Sequence, residues 1–146
     1  KFLNEMHRIL KKGGRLIIQE AYCSVIFQVI TIIMRHEGFD FTKEVWNENQ
    51  PMSDENDRWS GNIAIPHLIF YNIENFKKKF GDKFVIEHEK FYECFIFLNS
   101  GGVTSKTFYI PLNSFFLKVL DFIDSVLVKL FPSIFAMGRQ LVLKKK

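Results

Sequence analysis

A short helix, a pair of glycines and an apolar strand follow one another in residues 1–21, and this stretch constrains the fold most strongly. Gly13 and Gly14 follow the basic pair Lys11-Lys12, which suits a left-handed cap at the negative end of a helix, so the helix is predicted to end near Lys12. The run from Arg15 to Ile18 is almost continuously apolar and predicts a parallel strand covered on both faces. The helical spacing is carried by Phe2, Leu3, Met6, Ile9 and Leu10.

The same residues carry a family resemblance. The segment from Arg8 to Glu20, RILKKGGRLIIQE, resembles the turn that leads into the fifth strand of S-adenosylmethionine-dependent methyltransferases of the Rossmann-like class. Lys12 stands where that family usually has proline, a mild departure because two glycines already stop the helix. The resemblance implies an α/β fold, in which residues 1–146 form the C-terminal, substrate-side part of a doubly wound sheet and a single methyltransferase domain.

The cofactor-binding elements of that family have no counterpart in this chain. Gly13 and Gly14 lie between a helix and a strand, whereas a nucleotide loop places its glycines between a strand and a helix. We therefore expect no cofactor-binding residues within residues 1–146. The resemblance implies an S-adenosylmethionine site mostly outside this chain, and residues 1–146 alone are expected to be inactive and to bind that cofactor weakly or not at all.

Composition excludes several other classes. The hydrophobic and charged fractions, 47% and 25%, are typical of a soluble globular protein, and the net charge of +4 derives largely from lysine clusters at 77–79 and 144–146. Nucleic-acid binding therefore does not follow. The cysteines, Cys23 and Cys94, form no metal or disulfide motif and are expected to be buried and reduced, as in a cytoplasmic protein. We predict no metal site.

The remaining chain divides into predicted elements separated by turn signals. Helices are predicted at 25–37, capped by Ser24, at 73–80, capped by Asn72, and at 113–131. Strands are predicted near 15–20, 83–90 and 136–144, the last of which pairs antiparallel with the sixth strand in the methyltransferase family. Residues 47–62 are predicted to be a loop insertion, and 113–131 a helical insertion before the last strand.

Candidate site residues come from the end of the first strand and from the region of the loop. Ligands of open α/β sheets bind beyond the carboxyl ends of the strands, which favours Glu20 and Tyr22 as acceptor-binding residues. His67 is the candidate general base, and Trp59 and Asn62 would add a stacking face and an amide to the acceptor pocket. The alternatives are locally satisfied groups at the strand end, a structural histidine, and side chains that anchor the loop.

The acceptor is predicted from a second resemblance and from two apolar helices. Segments at 62–66, 100–102 and 110–112 resemble the C-terminal extension of bacterial methyltransferases of surface-glycan or lipid-linked glycan pathways. The helices at 25–37 and 113–131 have one narrow polar stripe each, which indicates core packing or contact with an amphipathic acceptor or a membrane surface.

In the membrane hypothesis, lysines face the lipid headgroups while aromatic side chains enter the apolar layer. Lys118, Lys129 and the 144–146 tail would contact anionic headgroups, and the protein would be cytoplasmic and peripheral at the membrane. The aromatic residues are Phe115, Phe116, Phe122 and Phe131. The alternative function is a non-enzymatic interaction or homo-oligomerisation module that uses a phenylalanine-rich face, since 17 phenylalanines exceed the needs of one small core.

Overall fold

The computed structural model describes residues 1–34, 38–47, 52, 56, 61–100 and 109–146. Within these residues the protein is a mixed α/β structure built on a small open sheet. The helices are α1 (Phe2–Ile9), α2 (Val25–Met34), α3 (Ile65–Tyr71), α4 (Ile73–Phe80), α5 (Phe95–Asn99), α6 (Ser114–Leu130) and α7 (Pro132–Phe135), and the strands are β1 (Arg15–Ala21), β2 (Phe84–Tyr92) and β3 (Gly138–Lys145).

The described residues form a three-stranded sheet with the order β1-β3-β2. The predicted strands near 15–20, 83–90 and 136–144 are confirmed, and so is the antiparallel pairing of the last strand with the one before it. β1 also pairs antiparallel with β3, with Leu16 opposite Leu143 and Glu20 opposite Arg139. Because both outer strands run antiparallel to β3, β1 and β2 point in the same direction, and their carboxyl ends share one edge of the sheet.

Helices α1, α3 and α4 pack on one face of the sheet and form the main core there. Their apolar side chains meet the inward row of β3, where Leu141 and Leu143 are almost fully buried. Asn72 caps α4 as predicted, accepting a hydrogen bond from the Asn75 backbone N–H at 3.1 Å. The other buried members of this core are Leu3, Phe70, Phe76, Phe80 and Phe84.

The opposite face of the sheet remains open among the described residues. Ile17 on β1 is 62% exposed and Val85 on β2 is 47% exposed, and on this face Arg15 pairs with Glu87. The prediction of a parallel strand covered on both faces is therefore wrong for the structure described, since β1 has a single, antiparallel partner and its helices lie on the other side. A doubly wound sheet remains a prediction.

The glycine pair performs its expected role, but the helix before it is shorter than predicted. α1 ends at Ile9 rather than near Lys12, and Gly13 adopts the left-handed φ of 76° that lets the chain reverse into β1. Lys145 explains the early end, because its Nζ donates to the carbonyls of His7 and Leu10 at 2.5 and 2.8 Å. A residue distant in sequence thus satisfies carbonyls that another helical turn would have used.

The predicted Ser24 cap of α2 is confirmed, and the structure shows that Asn113 caps α6. The Ser24 hydroxyl accepts from the Phe27 N–H at 3.2 Å, and the Asn113 side chain accepts from Phe115 and Phe116 at 3.1 Å each. Residues 35–37 of the predicted first helix lie outside the described residues. Of the alternatives for these helices, core packing does not describe them within the described residues, because most apolar side chains of α2 and α6 are exposed. In the described parts of the chain, no helix has the length and apolarity needed to cross a membrane.

A buried carboxylate joins α6 to the segment that follows β2. Asp124, 3% exposed, accepts hydrogen bonds from the backbone N–H groups of Cys94, Phe95 and Ile96 at 3.0, 3.0 and 2.9 Å. These donors begin α5, and a helix start leaves such N–H groups without partners inside the helix. Asp124 therefore acts as the N-terminal cap of a helix distant in sequence.

Candidate functional site

Polar and aromatic side chains gather at the shared carboxyl edge of β1 and β2. The strand register places Glu20 opposite Arg139, and Arg139 opposite Phe91. Tyr22 follows β1 directly, with its ring 4.8 Å from that of Phe91. The two predicted acceptor residues Glu20 and Tyr22 therefore lie at the edge where open α/β sheets bind ligands.

Arg139 occupies the centre of this group. It is 6% exposed, its Nη2 lies 2.6 Å from a Glu89 carboxylate oxygen, and its guanidinium lies 5.8 and 5.5 Å from the rings of Phe70 and Phe91. The buried Nε has no hydrogen-bond partner in the structure. A buried cation with one unmatched donor can interact with a negatively charged or oxygen-bearing ligand group.

Helix α3 brings His67 to the same edge. Pro66, at the start of α3, suits a first helical turn because its missing N–H would have no partner there. One turn later in the same helix, Tyr71 stacks on the imidazole with ring centroids 4.9 Å apart. The imidazole also lies near the rings of Tyr22 and Phe41, with centroid distances of 5.1 and 6.0 Å, so that aromatic rings surround it from three separate parts of the chain.

The surroundings of His67 favour its neutral form. Burial lowers the pKa of the imidazole, and the nearby Arg139 cation lowers it further. Its Nδ1 is buried without a hydrogen-bond partner. A neutral imidazole at neutral pH can accept a proton, which is the property required of a general base.

This lowered pKa predicts a specific pH dependence of stability. Because the folded pKa lies below that of the unfolded chain, about 6.5, the unfolded state binds more protons as pH falls through that value. The free energy of unfolding should therefore decrease between about pH 7 and pH 5.5, and His67→Gln should reduce this decrease. Chemical denaturation at several pH values measures it, with His88→Gln as the control, and equal slopes for wild type and His67→Gln would contradict the assignment.

Tyr22 and Glu20, at the end of β1, both have a pKa above the usual value for their side chain. Burial is the main cause that raises the pKa of Tyr22, with Arg139 acting in the opposite direction, so the phenol stays protonated at neutral pH. Burial also raises the pKa of Glu20. A protonated phenol can donate a hydrogen bond to an acceptor atom, and Glu20 supplies a carboxylate at the exposed border of the group.

The Asn62 side chain is occupied by hydrogen bonds to the backbone. The Asn62 amide accepts from the backbone N–H groups of Asp40 and Ala64 at 3.0 Å each and donates to the Asp40 carbonyl at 2.7 Å. It thereby ties the chain before α3 to residues 38–40, which matches the loop-anchoring alternative. Trp59, most of the predicted 47–62 loop and the glycines of the predicted 100–102 turn lie outside the described residues.

A cavity of about 560 Å³ adjoins the cluster between the end of β2 and α6. Glu89 and Phe91 line it and also contact Arg139, so the cavity shares a wall with the candidate site. Its far side is formed by α6, including Asp121, Ser125 and Val128. An acceptor larger than a single functional group has room on this side of the edge.

Two other kinds of site are poorly supported. Glu87 pairs with Arg15 and Lys144 on the open face, whereas Glu89 pairs with Arg139 on the core face, and no group of potential metal ligands occurs among the described residues. Cys23 and Cys94 are buried free thiols, and burial raises the pKa of each to about 12, which disfavours the nucleophilic thiolate.

Sequence reasoning missed Arg139, Glu89, Phe91 and Tyr71 as members of the site. Arg139 left a detectable signal, because the alternation of the last strand places it on the same face as Met137, Leu141 and Leu143. A charged residue in an otherwise apolar row requires a buried partner or a function. Tyr71 and Phe91 join through tertiary contacts between separate elements and left no local signal.

Comparisons with known proteins identify no relative: the chain matches no protein-family model, no curated protein and no solved structure.

Proposed function

We propose that this chain supplies the acceptor side of an S-adenosylmethionine-dependent methyltransferase that acts on a small-molecule, glycan or lipid-linked acceptor. The observation that carries the proposal is the coincidence of the site with the strand ends. Tyr22, His67 and Arg139 meet at the carboxyl edge shared by β1 and β2, where ligands of open α/β sheets bind, and Glu20 lies opposite Arg139 in the strand register there.

The form of the sheet supports the same proposal. β3 runs antiparallel between two strands that point the same way, and α1, α3 and α4 cover a single face. The resemblance implies a last strand that pairs antiparallel with the sixth, and β3 pairs antiparallel with β2. The open face around Ile17, together with the outer edge of β1, offers the place for a cofactor-binding half of the sheet.

In the proposed reaction, the cofactor supplies the methyl group and the residues of this chain bind and deprotonate the acceptor. S-adenosylmethionine supplies an electrophilic methyl group when bound, and the described residues do not contain the glycine-rich turn that would hold it. Neutral His67 accepts the proton of an acceptor hydroxyl or ammonium group, and Tyr22 donates a hydrogen bond that orients the acceptor. Where the acceptor is a hydroxyl, Arg139, held by Glu89, stabilises the partial negative charge on its oxygen as the proton moves to His67.

Calorimetric titration with S-adenosylmethionine tests whether the cofactor site lies mostly outside residues 1–146. The polypeptide from the complete reading frame should bind the cofactor saturably, whereas residues 1–146 should give at most a weak heat. The product S-adenosylhomocysteine serves as a second probe on both proteins. Tight binding by residues 1–146 would show that the cofactor site is misplaced, and no binding by the complete polypeptide would refute the proposal.

A second candidate function is a non-enzymatic interaction module. The exposed phenylalanines of α6, among them Phe115 at 68% and Phe122 at 69%, favour it because large apolar surfaces on soluble proteins mark interfaces. Sedimentation velocity separates the candidates. A tight dimer without cofactor binding would favour the module, whereas a monomer that binds S-adenosylmethionine would favour the enzyme.

A further inference from the structure

The outward row of α6 is apolar along its whole length. The row recurs at spacings of three and four, so that its members lie on one side of the helix. The opposite side carries Asp124 and Val128, which are buried against the protein. The outward row and its exposed fractions are Phe115 (68%), Val119 (40%), Phe122 (69%), Val126 (38%) and Leu130 (62%).

Helix α2 likewise has apolar side chains on its outward side and a buried polar side chain on its inward side. Its polar side chains are turned inward or used locally, since Thr31 is 1% exposed and Gln28 donates to the Cys23 carbonyl at 2.8 Å. Its outward row is apolar. Because Thr31 faces inward, its hydroxyl is buried without a hydrogen-bond partner, which is energetically unfavourable. The outward residues are Val25 (56%), Val29 (50%), Ile32 (66%) and Ile33 (71%).

Helix α7 connects the two helices. It packs against both α2 and α6, and Ile134 on α7 is itself 41% exposed. Phe131, between α6 and α7, is 51% exposed. Exposed apolar residues therefore occur on three helices that contact one another in the order α6, α7 and α2, and we call these residues the apolar surface.

The charges beside the apolar surface indicate its occupant. Lys118 and Lys129 are exposed and border the outward row of α6 on one side, about 16 Å apart at 1.5 Å of rise per residue. Their long side chains can extend from the edge of an apolar face to a layer of negative charge while the row itself is buried. The one other charged residue exposed on α6, Asp121, lies further from the row on that same side.

We propose that α6, with α7 and α2, binds the surface of an anionic lipid bilayer, with the outward row in the apolar boundary and Lys118 and Lys129 at the phosphates. α6 has 17 residues and is thus about 26 Å long, sufficient to lie along the interface. The buried Asp124 cap holds α6 to the protein from the opposite side. This proposal is independent of methyl transfer.

The structure revises the part given to the C-terminal lysines in the membrane hypothesis. Lys145 caps α1, Lys144 pairs with Glu87, and the Lys146 Nζ donates to the Gly81 carbonyl. These lysines lie at the end of β3 remote from α7, about 25 Å away at 3.3 Å per strand residue. They are therefore structural and do not border the apolar surface.

Co-sedimentation with vesicles tests the proposal. Wild-type protein should pellet with phosphatidylcholine vesicles that contain phosphatidylserine and much less with phosphatidylcholine alone. The double variant Phe115→Glu/Phe122→Glu should lower the partition constant by at least about tenfold, and Lys118→Gln/Lys129→Gln should weaken mainly the anionic-lipid and salt dependence. Phe2→Glu is the matched control, because Phe2 is an exposed helical phenylalanine (59%) on α1.

The outcomes decide between a lipid and a protein occupant. All substituted side chains are exposed, so circular dichroism should show unchanged folding. Equal recovery of wild type in the supernatant with both vesicle types at low salt would overturn the proposal. A wild-type dimer that the Phe115→Glu/Phe122→Glu change converts to monomer, without vesicle binding, would also overturn it and assign the surface to a second copy.

Discussion

Replacing Asp124 by alanine should lower the free energy of unfolding by about 3 kcal/mol or more. The carboxylate is almost fully buried and accepts three backbone N–H groups at the start of α5. A buried donor that loses its acceptor retains its full desolvation cost, and a hydrogen bond to a charged group is among the stronger ones. Urea denaturation and thermal melting both report the loss, with an expected decrease in melting temperature of roughly 10 °C.

Asp121→Ala provides the matched control for this prediction. Asp121 lies one turn earlier on the same helix and is exposed, so its removal should change stability by no more than about 0.5 kcal/mol. Asp124→Asn should be intermediate, since the amide keeps one acceptor oxygen but loses the charge. Equal destabilisation by Asp124→Ala and Asp121→Ala would show that the cap does not hold α6 to α5.

His67→Gln should lower the methyl-transfer rate constant by at least about 100-fold, the lower end of the range for a general base. The imidazole is kept neutral by burial and by Arg139, and glutamine has similar polarity but cannot accept the proton at neutral pH. The loss should appear in kcat, with little change in the affinity for S-adenosylmethionine. It should be measured on the polypeptide from the complete reading frame.

The pH profile separates a base from a structural histidine. The wild-type rate should fall at acid pH, with a midpoint below 6.5 because the pKa is lowered, and this limb should be absent in His67→Gln. His88→Gln is the control, since His88 is exposed on β2 and pairs in register with Val142 on the open face. A 100-fold loss in both variants, or an unchanged acid limb in His67→Gln, would contradict the role of base.

Local chemistry made much of the fold predictable. Ser24 and Asn72 cap their helices as expected, because a cap depends only on the first helical turn. The three strands lie within a few residues of their predicted positions, since alternation and apolar runs are also local. Gly13 adopts a left-handed conformation in the turn, which glycine reaches without strain because it has no Cβ atom.

The remaining features depend on contacts between distant residues. Periodicity showed that α2 and α6 are largely apolar, but it does not determine whether the apolar side faces the core or the outside. The early end of α1 depends on Lys145, and the site depends on Arg139 reaching Glu89 from another strand. Tyr22 and Glu20 were predicted from the strand end alone, whereas Tyr71 joins only because α3 folds over that edge.

Transfer of a labelled methyl group is the measurement that tests the proposed activity. The complete polypeptide is incubated with S-adenosylmethionine labelled on its methyl group, together with separate lipid and soluble extracts of the source cells. Label should appear in an acceptor from one of the extracts, and it should be lost when His67 is replaced by glutamine and kept with His88→Gln. No incorporation above the protein-free blank in either extract, with the cofactor shown to be intact, would contradict it.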